Sequence, residues 1–364
     1  MTIVEIIPSL EKKGGAEVLL VNLIKKMSKL QDVKLILVCL YDGINDDFKN
    51  TIDKLTDTSV YFCSKKKGLD LACSRKLREI IKLIKPDIIH LHLSCLSTLF
   101  LAFPFGLKKT RIFQTIHSVP AKDSQGLQRI LRRYYCKICK MNLVGISDII
   151  TKETIKMFPF LVSKHQLFTV YNGIQIPKKI TSTKDIDLIC VASVKPVKNQ
   201  KMLVDSVAKL LIEFPNLRVA LVGGGEQLDE IISYSKGLNL DKNIFFYEPV
   251  DDVFPFLMKS KIFVLTSLYE GNPISILEAL GCGLPCVAPA VGGIPDIIKD
   301  GYNGFLFEVG NKTQFVDKVN KLLRDPCFLG KMSENAIKDV QKYDINVSVS
   351  EYYRIFKEAL NENQ

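Results

Sequence analysis

The chain has 364 residues, of which 47% are hydrophobic and 24% charged, a balance that excludes a disordered, collagen-like or coiled-coil protein and, at roughly 100–200 residues per domain, predicts two globular domains. The formal charge of +11 is lopsided: residues 1–176 hold 28 basic and 15 acidic side chains, residues 177–364 hold 22 and 24. A basic first half suits an anionic partner, whether a phosphate-bearing substrate, acidic lipid headgroups or nucleic acid.

Met1 to Ile7 places Glu5 in what would be the apolar core of a secretory signal, so a first strand and a cytoplasmic protein are expected. Apolar, β-branched runs follow at Ile3 to Pro8, Lys34 to Leu40, Ser59 to Cys63, Asp87 to Leu93, Arg111 to Ile116 and Asn142 to Gly145. Helical patterns over Glu17 to Lys29, Ser74 to Ile84 and Gln128 to Lys140 lie between them. Alternation of this kind predicts a parallel sheet wrapped by helices. The most apolar stretch, Ile88 to Leu107, is interrupted by His90, His92, Ser94, Ser97, Thr98 and Pro104, and is too broken to span a bilayer. The ten cysteines sit mostly in apolar runs, as reduced core residues do. Cys136 and Cys139 form the only C-x-x-C, and no metal or redox role is expected of it.

From Ile176 to Asp187 the chain is polar and without periodicity, which predicts an interdomain connection. Strands are then expected at Leu188 to Ala192, Arg218 to Val222, Asn243 to Phe246, Ile262 to Thr266 and Pro285 to Ala288, with helices over Met202 to Phe214 and Glu226 to Lys236. The fold class is therefore α/β, with two doubly wound domains in tandem and ligands expected at the carboxyl ends of their strands.

The segment richest in chemistry runs from Ser267 to Pro285. Asn272 fits a helix N-cap, Pro273 the first helical position, and Gly281 or Gly283 the left-handed residue past the end, giving a helix over about Pro273 to Gly281. Its N-terminus, with the free N–H groups of Ile274 and Ser275, is an expected site for an anion or a sugar hydroxyl. Glu270 lies just before the helix and Glu278 inside it.

Glu270 and Glu278 form an E-x7-E pair within E-G-N-P-I-S-I-L-E-A-L-G-C-G-L-P, which resembles the signature of family 4 glycosyltransferases of the GT-B fold. Further segments resemble that family in order. They are Gly14-Gly15-Ala16-Glu17, Thr115-Ile116-His117, Ile146-Ser147, Tyr171-Asn172-Gly173-Ile174, Val222-Gly223-Gly224-Gly225, Gly292-Gly293-Ile294-Pro295-Asp296 and Asn303-Gly304.

The resemblance implies two Rossmann-like domains facing each other across a cleft. Residues 1–176 would bind the acceptor, residues 177–345 the nucleotide-sugar donor, and a helix over residues 346–364 would cross back to the first domain. It also implies transfer of a sugar from a nucleotide diphosphate, UDP- or GDP-linked, to an acceptor hydroxyl with retention, and no cofactor or essential metal. By the same resemblance Glu278 takes the donor ribose hydroxyls, while Glu270 with Gly271, Asn272, Pro273 and Ile274 takes the transferred sugar. His117 is placed near the reacting centre, Gly14 and Gly15 against the diphosphate, and Lys198 on the phosphate of the leaving nucleotide. Where the family carries Arg, this chain has Ser193, and Lys195 is a candidate replacement. A front-face route, in which the leaving phosphate oxygen accepts the acceptor's proton, needs no general base; Glu270 as a covalent nucleophile is the rival.

Asp185-Ile186-Asp187 has the form of a D-x-D metal motif but sits in the connection, where solvated charges are expected. The basic stretch Arg129 to Lys140, with Lys65 to Lys67 and Lys108-Lys109, is a candidate anionic-membrane surface. The expected protein is thus a cytoplasmic, peripheral glycosyltransferase of bacterial surface polysaccharide synthesis, extending a lipid-linked saccharide and binding no nucleic acid. A non-hydrolysing nucleotide-sugar epimerase and a catalytically silent nucleotide-binding subunit are the alternatives.

Overall fold

A computed structural model describes residues 1–12, 14–55, 58–118, 126–163, 165–177, 183–250 and 252–361. The chain divides into two units, residues 1–173 with 345–364, and residues 174–344. Part of the expected connection, residues 178–182, lies outside the described residues.

The first unit holds seven parallel strands: β1 (Thr2–Ile7), β2 (Lys34–Cys39), β3 (Thr58–Phe62), β4 (Ile88–His92), β5 (Arg111–Ile116), β6 (Asn142–Gly145) and β7 (Leu167–Thr169). Their order is β3-β2-β1-β4-β5-β6-β7. The central strands read as continuous apolar runs because both faces are covered. Val4, Ile6, Ile36, Ile89 and Leu91 pack on one face with Leu77, Leu99 and Tyr135. Ile3, Ile7, Leu35, Ile88 and Phe113 pack on the other, under helix Gly15–Met27 and the C-terminal helix Ile345–Asn361. That last helix contributes Ile345, Val349, Tyr352, Ile355 and Phe356, and burying such side chains stabilises the unit by about 1.5–3 kcal/mol each.

The second unit repeats the plan with six parallel strands: β8 (Ile186–Val191), β9 (Val219–Val222), β10 (Ile244–Tyr247), β11 (Ser260–Val264), β12 (Cys286–Pro289) and β13 (Gly304–Phe307), in the order β10-β9-β8-β11-β12-β13. In each unit the strand order reverses beside the first strand, between β1 and β4 and between β8 and β11. Doubly wound sheets bind ligands at such switch points.

Several boundaries move from the expected ones. β8 opens at Ile186 rather than Leu188, because the Ile186 amide already pairs with the Lys259 carbonyl at 3.0 Å. β11 ends at Val264 rather than Thr266, whose hydroxyl turns to the neighbouring loop. The two edge strands β7 and β13 and the polar helix Asp46–Asp53 have no counterpart in the sequence reading. Asp187 of the D-x-D stretch accepts from Lys261 Nζ at 2.8 Å and from the Arg218 amide at 2.9 Å. None of the ten cysteines forms a disulfide, and eight of them are buried. Among the described residues no helix is long and apolar enough to cross a membrane.

Candidate active site

In the second unit two loops leave the carboxyl ends of the switch-point strands. After β8 the chain passes Ser193 and the exposed Lys195 into a single 3-10 turn, Pro196–Lys198. Asn199, left-handed at φ +51°, redirects it into helix Gln200–Leu210. After β11, Thr266 Oγ1 donates to the carbonyls of Lys198 and Asn199 at 3.2 and 2.9 Å, and the Leu268 amide donates to the Val197 carbonyl at 2.8 Å. These bonds tie the loops together and deliver Lys198 to Glu270. Lys198 Nζ donates to Glu270 Oε1 at 2.6 Å, and Ser267 Oγ donates to the same oxygen at 2.6 Å.

Glu270 is only 6% exposed, and both donors reach the same carboxylate oxygen. The backbone behind it is shaped by glycine. At Gly292, φ is +58° and a Cβ would lie 1.7 Å from the Glu270 carbonyl oxygen. The Gly293 amide donates to the Gly271 carbonyl at 2.7 Å, fixing the 270–271 turn. Gly223 presses in the same way on the loop after β8, where a Cβ would meet the Ala192 carbonyl oxygen at 2.1 Å.

The helix that follows is Ile274–Gly281. It starts one residue later than expected: Pro273, with extended ψ of 111°, is the N-cap, and Asn272 precedes the cap. The reason is local, since the Pro273 carbonyl already accepts the Ile276 amide at 3.2 Å and so occupies the cap position itself. Glu278 is five residues into this helix and half-buried. Burial, with Asp252 nearby, raises its carboxyl to about 7.

The second unit therefore assembles Lys195, Lys198, Glu270, Gly271, Asn272, Pro273, Ile274 and Glu278 around one switch point. The expected phosphate-binding Lys198 is thus already paired with the expected sugar-binding Glu270. Ser193 uses its carbonyl to accept Gln200 Nε2 at 2.9 Å.

Gly14, Gly15 and His117 belong to the first unit. Gly14 is the extended N-cap of helix Gly15–Met27, which begins two residues before the expected start. His117 follows β5 and ends a chain of side chains that the sequence reading does not reach. Glu5 on β1 stands beside His90 on β4, and period-two alternation puts Glu5, His90, His92, Thr115 and His117 on one face. Glu5 Oε2 accepts from His92 Nε2 at 2.8 Å and lies 2.9 Å from His90 Nδ1. His92 Nδ1 is 3.0 Å from His117 Nε2. His90 Nε2 contacts Thr115 Oγ1 at 2.7 Å, and Thr115 Oγ1 contacts the Tyr352 hydroxyl of the C-terminal helix at 3.0 Å. The signal available in the sequence was the spacing of His90 and His92, two apart in a strand with Thr115 and His117 two apart in the next.

Burial alone would raise the Glu5 carboxyl, yet the imidazoles of His90 and His92 beside it bring it down to about 2. Burial and His90 push His92 down to about 4, against the pull of Glu5. Burial and the neighbouring imidazoles push His117 well below the usual histidine range. Glu5, His90 and His92 also offer three metal-ligand atoms within 4.8 Å of one another. Their contacts with each other are of hydrogen-bond length, and no fourth ligand of this kind joins them among the described residues.

Two family models match: Glycosyltransferase Family 4 over residues 13–178 and Glycosyl transferases group 1 over residues 174–339. The chain is 27% identical over 313 residues to the N-acetyl-alpha-D-glucosaminyl L-malate synthase of Bacillus anthracis, covering 81% of each. It is 26% identical over 287 residues to the UDP-Gal:alpha-D-GlcNAc-diphosphoundecaprenol alpha-1,3-galactosyltransferase of Escherichia coli, covering 73% of each. In fold it is similar to Anabaena Alr3699/HepE, solved with UDP and glucose, with a TM-score of 0.80 at 19% identity over 98% of this chain and 100% of that one. The lipopolysaccharide outer core galactosyltransferase WaaB, in its apo form, gives a TM-score of 0.75 at 20% identity over 98% and 100% of the two chains. With two α/β units of Rossmann type and family matches running from residue 13 to residue 339, the chain is a glycosyltransferase and belongs to glycosyltransferase family 4.

Proposed function

We propose that this glycosyltransferase moves a sugar from a UDP- or GDP-linked donor to a hydroxyl of a lipid-linked saccharide, with retention at the anomeric carbon and without an essential metal. It would do so at the inner face of the plasma membrane, in the synthesis of bacterial surface polysaccharide. The observation that carries this reading is the contact of Lys198 Nζ with Glu270 Oε1, 2.6 Å apart at the β8/β11 switch point.

An ammonium group held there offers a leaving diphosphate the positive charge that it develops a need for as the glycosidic bond breaks. Glu270 and the 271–274 backbone would hold the hydroxyls of the transferred sugar. Glu278, once ionised, would accept two ribose O–H bonds. Gly14 and Gly15 allow close backbone approach to phosphate, Lys195 adds an exposed cation, and His117 serves the reacting sugar from the first unit. A front-face route suits this set, since Glu270 is already engaged by two donors and the leaving phosphate can take the acceptor's proton.

The lipid-linked acceptor is favoured by the diphosphoundecaprenol substrate in the name of the Escherichia coli relative. Attachment to an anionic membrane is favoured by helix Leu127–Ile138, whose exposed side chains include Leu127, Arg129, Ile130, Arg133, Lys137 and Ile138. Arg132 is excluded from that surface: it is 1% exposed and its Nε donates to Gln114 Oε1 at 3.0 Å.

The test is incubation of the full chain with UDP- and GDP-sugars and an undecaprenyl-diphosphate saccharide analogue, with chelator present. An α-linked product from an α-linked donor supports the reading. A product of inverted configuration, strict metal dependence, or epimerised donor without any acceptor would each replace it.

A further inference from the structure

The face of the first sheet that carries His117 also carries a buried carboxylate for which the proposed transfer chemistry has no use. Glu5 is fully buried in the middle of β1. Burying an acid costs free energy that its partners at best offset, and an apolar residue of the same shape would often be no less stable there, so stability alone does not account for it.

The proton positions follow from valence. An ionised carboxylate only accepts, so His92 Nε2, 2.8 Å from Glu5 Oε2, carries the hydrogen. A neutral His92 then has a lone pair on Nδ1. That atom is 3.0 Å from His117 Nε2, which must therefore be the donor. A neutral His117 with its proton on Nε2 has its remaining lone pair on Nδ1. Each imidazole is thereby set in both tautomer and ring orientation by the group behind it, the arrangement by which a buried carboxylate fixes a working histidine.

We propose that Glu5 is a positioning residue which, acting through His92, holds His117 in the tautomer whose Nδ1 is a hydrogen-bond acceptor, ready for a hydroxyl of the transferred sugar. His90 Nδ1 lies 2.9 Å from the same Glu5 Oε2, and His90 is itself anchored through Thr115 to Tyr352 of the C-terminal helix. The proposal rests on the reading of His117 as a sugar-contacting residue. The chain of hydrogen bonds can be tested apart from that reading.

The chain has four histidines, so selective 15N labelling of the full-length protein gives an assignable spectrum, with His117→Gln and His92→Phe identifying their signals. The expected result at pH 7.5 is a ring N–H on Nε2 of both His92 and His117, exchanging slowly with solvent, and an unprotonated Nδ1 on His117. Glu5→Met preserves length and removes the acceptor; both slow N–H signals should be lost while the far-UV circular dichroism is retained. If Glu5→Met does not fold, His92→Phe should abolish the His117 signal by the same logic. His117 protonated on Nδ1, or an Nε2–H signal indifferent to these changes, overturns the proposal. So does a stoichiometric metal that is lost in Glu5→Met, which would make the cluster a metal centre.

Transfer kinetics supply the second arm. Glu5→Met should lower kcat roughly tenfold, the size expected for misaligning one hydrogen bond to the sugar. It should add nothing further in a His117→Ala background, because its whole effect passes through His117. Equal losses in both backgrounds would show a merely structural Glu5 and overturn the proposal. Intact signals combined with full activity in His117→Ala would instead reject the sugar-contacting role of His117, and that outcome is distinguishable from failure of the chain itself.

Discussion

Lys198 and Glu270 lie 72 residues apart in sequence and 2.6 Å apart in space, and the same Glu270 oxygen also accepts from Ser267. Glu270 is the more buried partner, at 7% side-chain exposure against 21% for Lys198. Removing the lysine therefore strands a carboxylate that water barely reaches. Stripping one partner from a fully buried pair costs about 3–5 kcal/mol, and with Lys198 partly solvated the expected cost of Lys198→Met is nearer 2 kcal/mol. Transfer should fall more steeply, by a factor of about 10² to 10³, as expected for loss of a preorganised charge at a leaving group. Glu270→Gln should also abolish transfer yet keep most of the nucleotide affinity. Thermal melts, nucleotide titration and kcat on the two single variants and the double variant check this; strictly additive losses would mean that the pair is not a unit.

Glu278 gives the site a pH dependence with a definite sign. Its carboxyl is raised to about 7, by burial and by Asp252. If the ionised form accepts ribose hydroxyls, affinity for the nucleotide should fall up to about tenfold per unit as pH drops below 7, since a protonated carboxyl has given up acceptor capacity. The ligand-free protein should do the opposite. A carboxyl whose folded value lies above its unfolded one binds more protons when folded, so its contribution to stability declines as pH rises from about 4.5 to 7. Glu278→Gln should flatten both trends. Calorimetric titration of UDP and thermal melts at pH 5.5, 6.5 and 7.5 measure them, and an unchanged nucleotide affinity in Glu278→Gln would remove the ribose role.

The grouping of the second unit's candidate residues was largely legible in the sequence because it is local. Glu270, Gly271, Asn272, Pro273, Ile274 and Glu278 sit in one strand-turn-helix segment whose capping residues announce the turn, and only the exact cap was displaced, from Asn272 to Pro273. Lys198 was legible as a candidate, but its partner was not, since that contact exists only because strand order brings β8 beside β11. The first unit shows the limit more plainly. Glu5 and His92 are 87 residues apart and meet because β1 lies between β2 and β4, a long-range pairing that no local pattern encodes. Arg132 misled for a related reason: in a basic amphipathic stretch it looks solvated, and only Gln114 on β5 reveals that it turns inward.

Gly292 should tolerate no side chain. Its φ of +58° already strains any other residue, and the Cβ would sit 1.7 Å from the Glu270 carbonyl oxygen. Gly292→Ala must push the 270–271 turn aside, at a cost of more than the roughly 1–3 kcal/mol of the backbone conformation alone. Gly310 is the control: its φ is +79°, but a Cβ there meets nothing within 4 Å. Gly310→Ala should lower the melting temperature and leave UDP affinity and kcat unchanged, whereas Gly292→Ala should lower all three. Equal behaviour of the two would mean that the 292 cradle does not shape the site.

The exposed face of helix Leu127–Ile138 predicts the response to membranes. Ile130 is 66% and Ile138 60% exposed, beside the exposed cations Arg129, Arg133 and Lys137. Each cation near an anionic surface contributes about 1 kcal/mol, and exposed apolar side chains add to it by leaving water. Neutralising the three to Gln should therefore weaken binding to phosphatidylglycerol-containing vesicles by about a hundredfold, with no effect on vesicles of zwitterionic lipid. Because the attraction is screened over about 8–10 Å at physiological salt, binding by the unaltered protein should also fall on raising the salt toward 1 M. Arg132→Gln separates this surface from the fold: with its Nε bonded to Gln114 and 1% exposure, it should lower the melting temperature without altering vesicle binding in the protein that remains folded. Co-sedimentation with vesicles of the two compositions measures each effect, and a triple variant that binds anionic vesicles as well as the parent would remove this face as a membrane-docking surface.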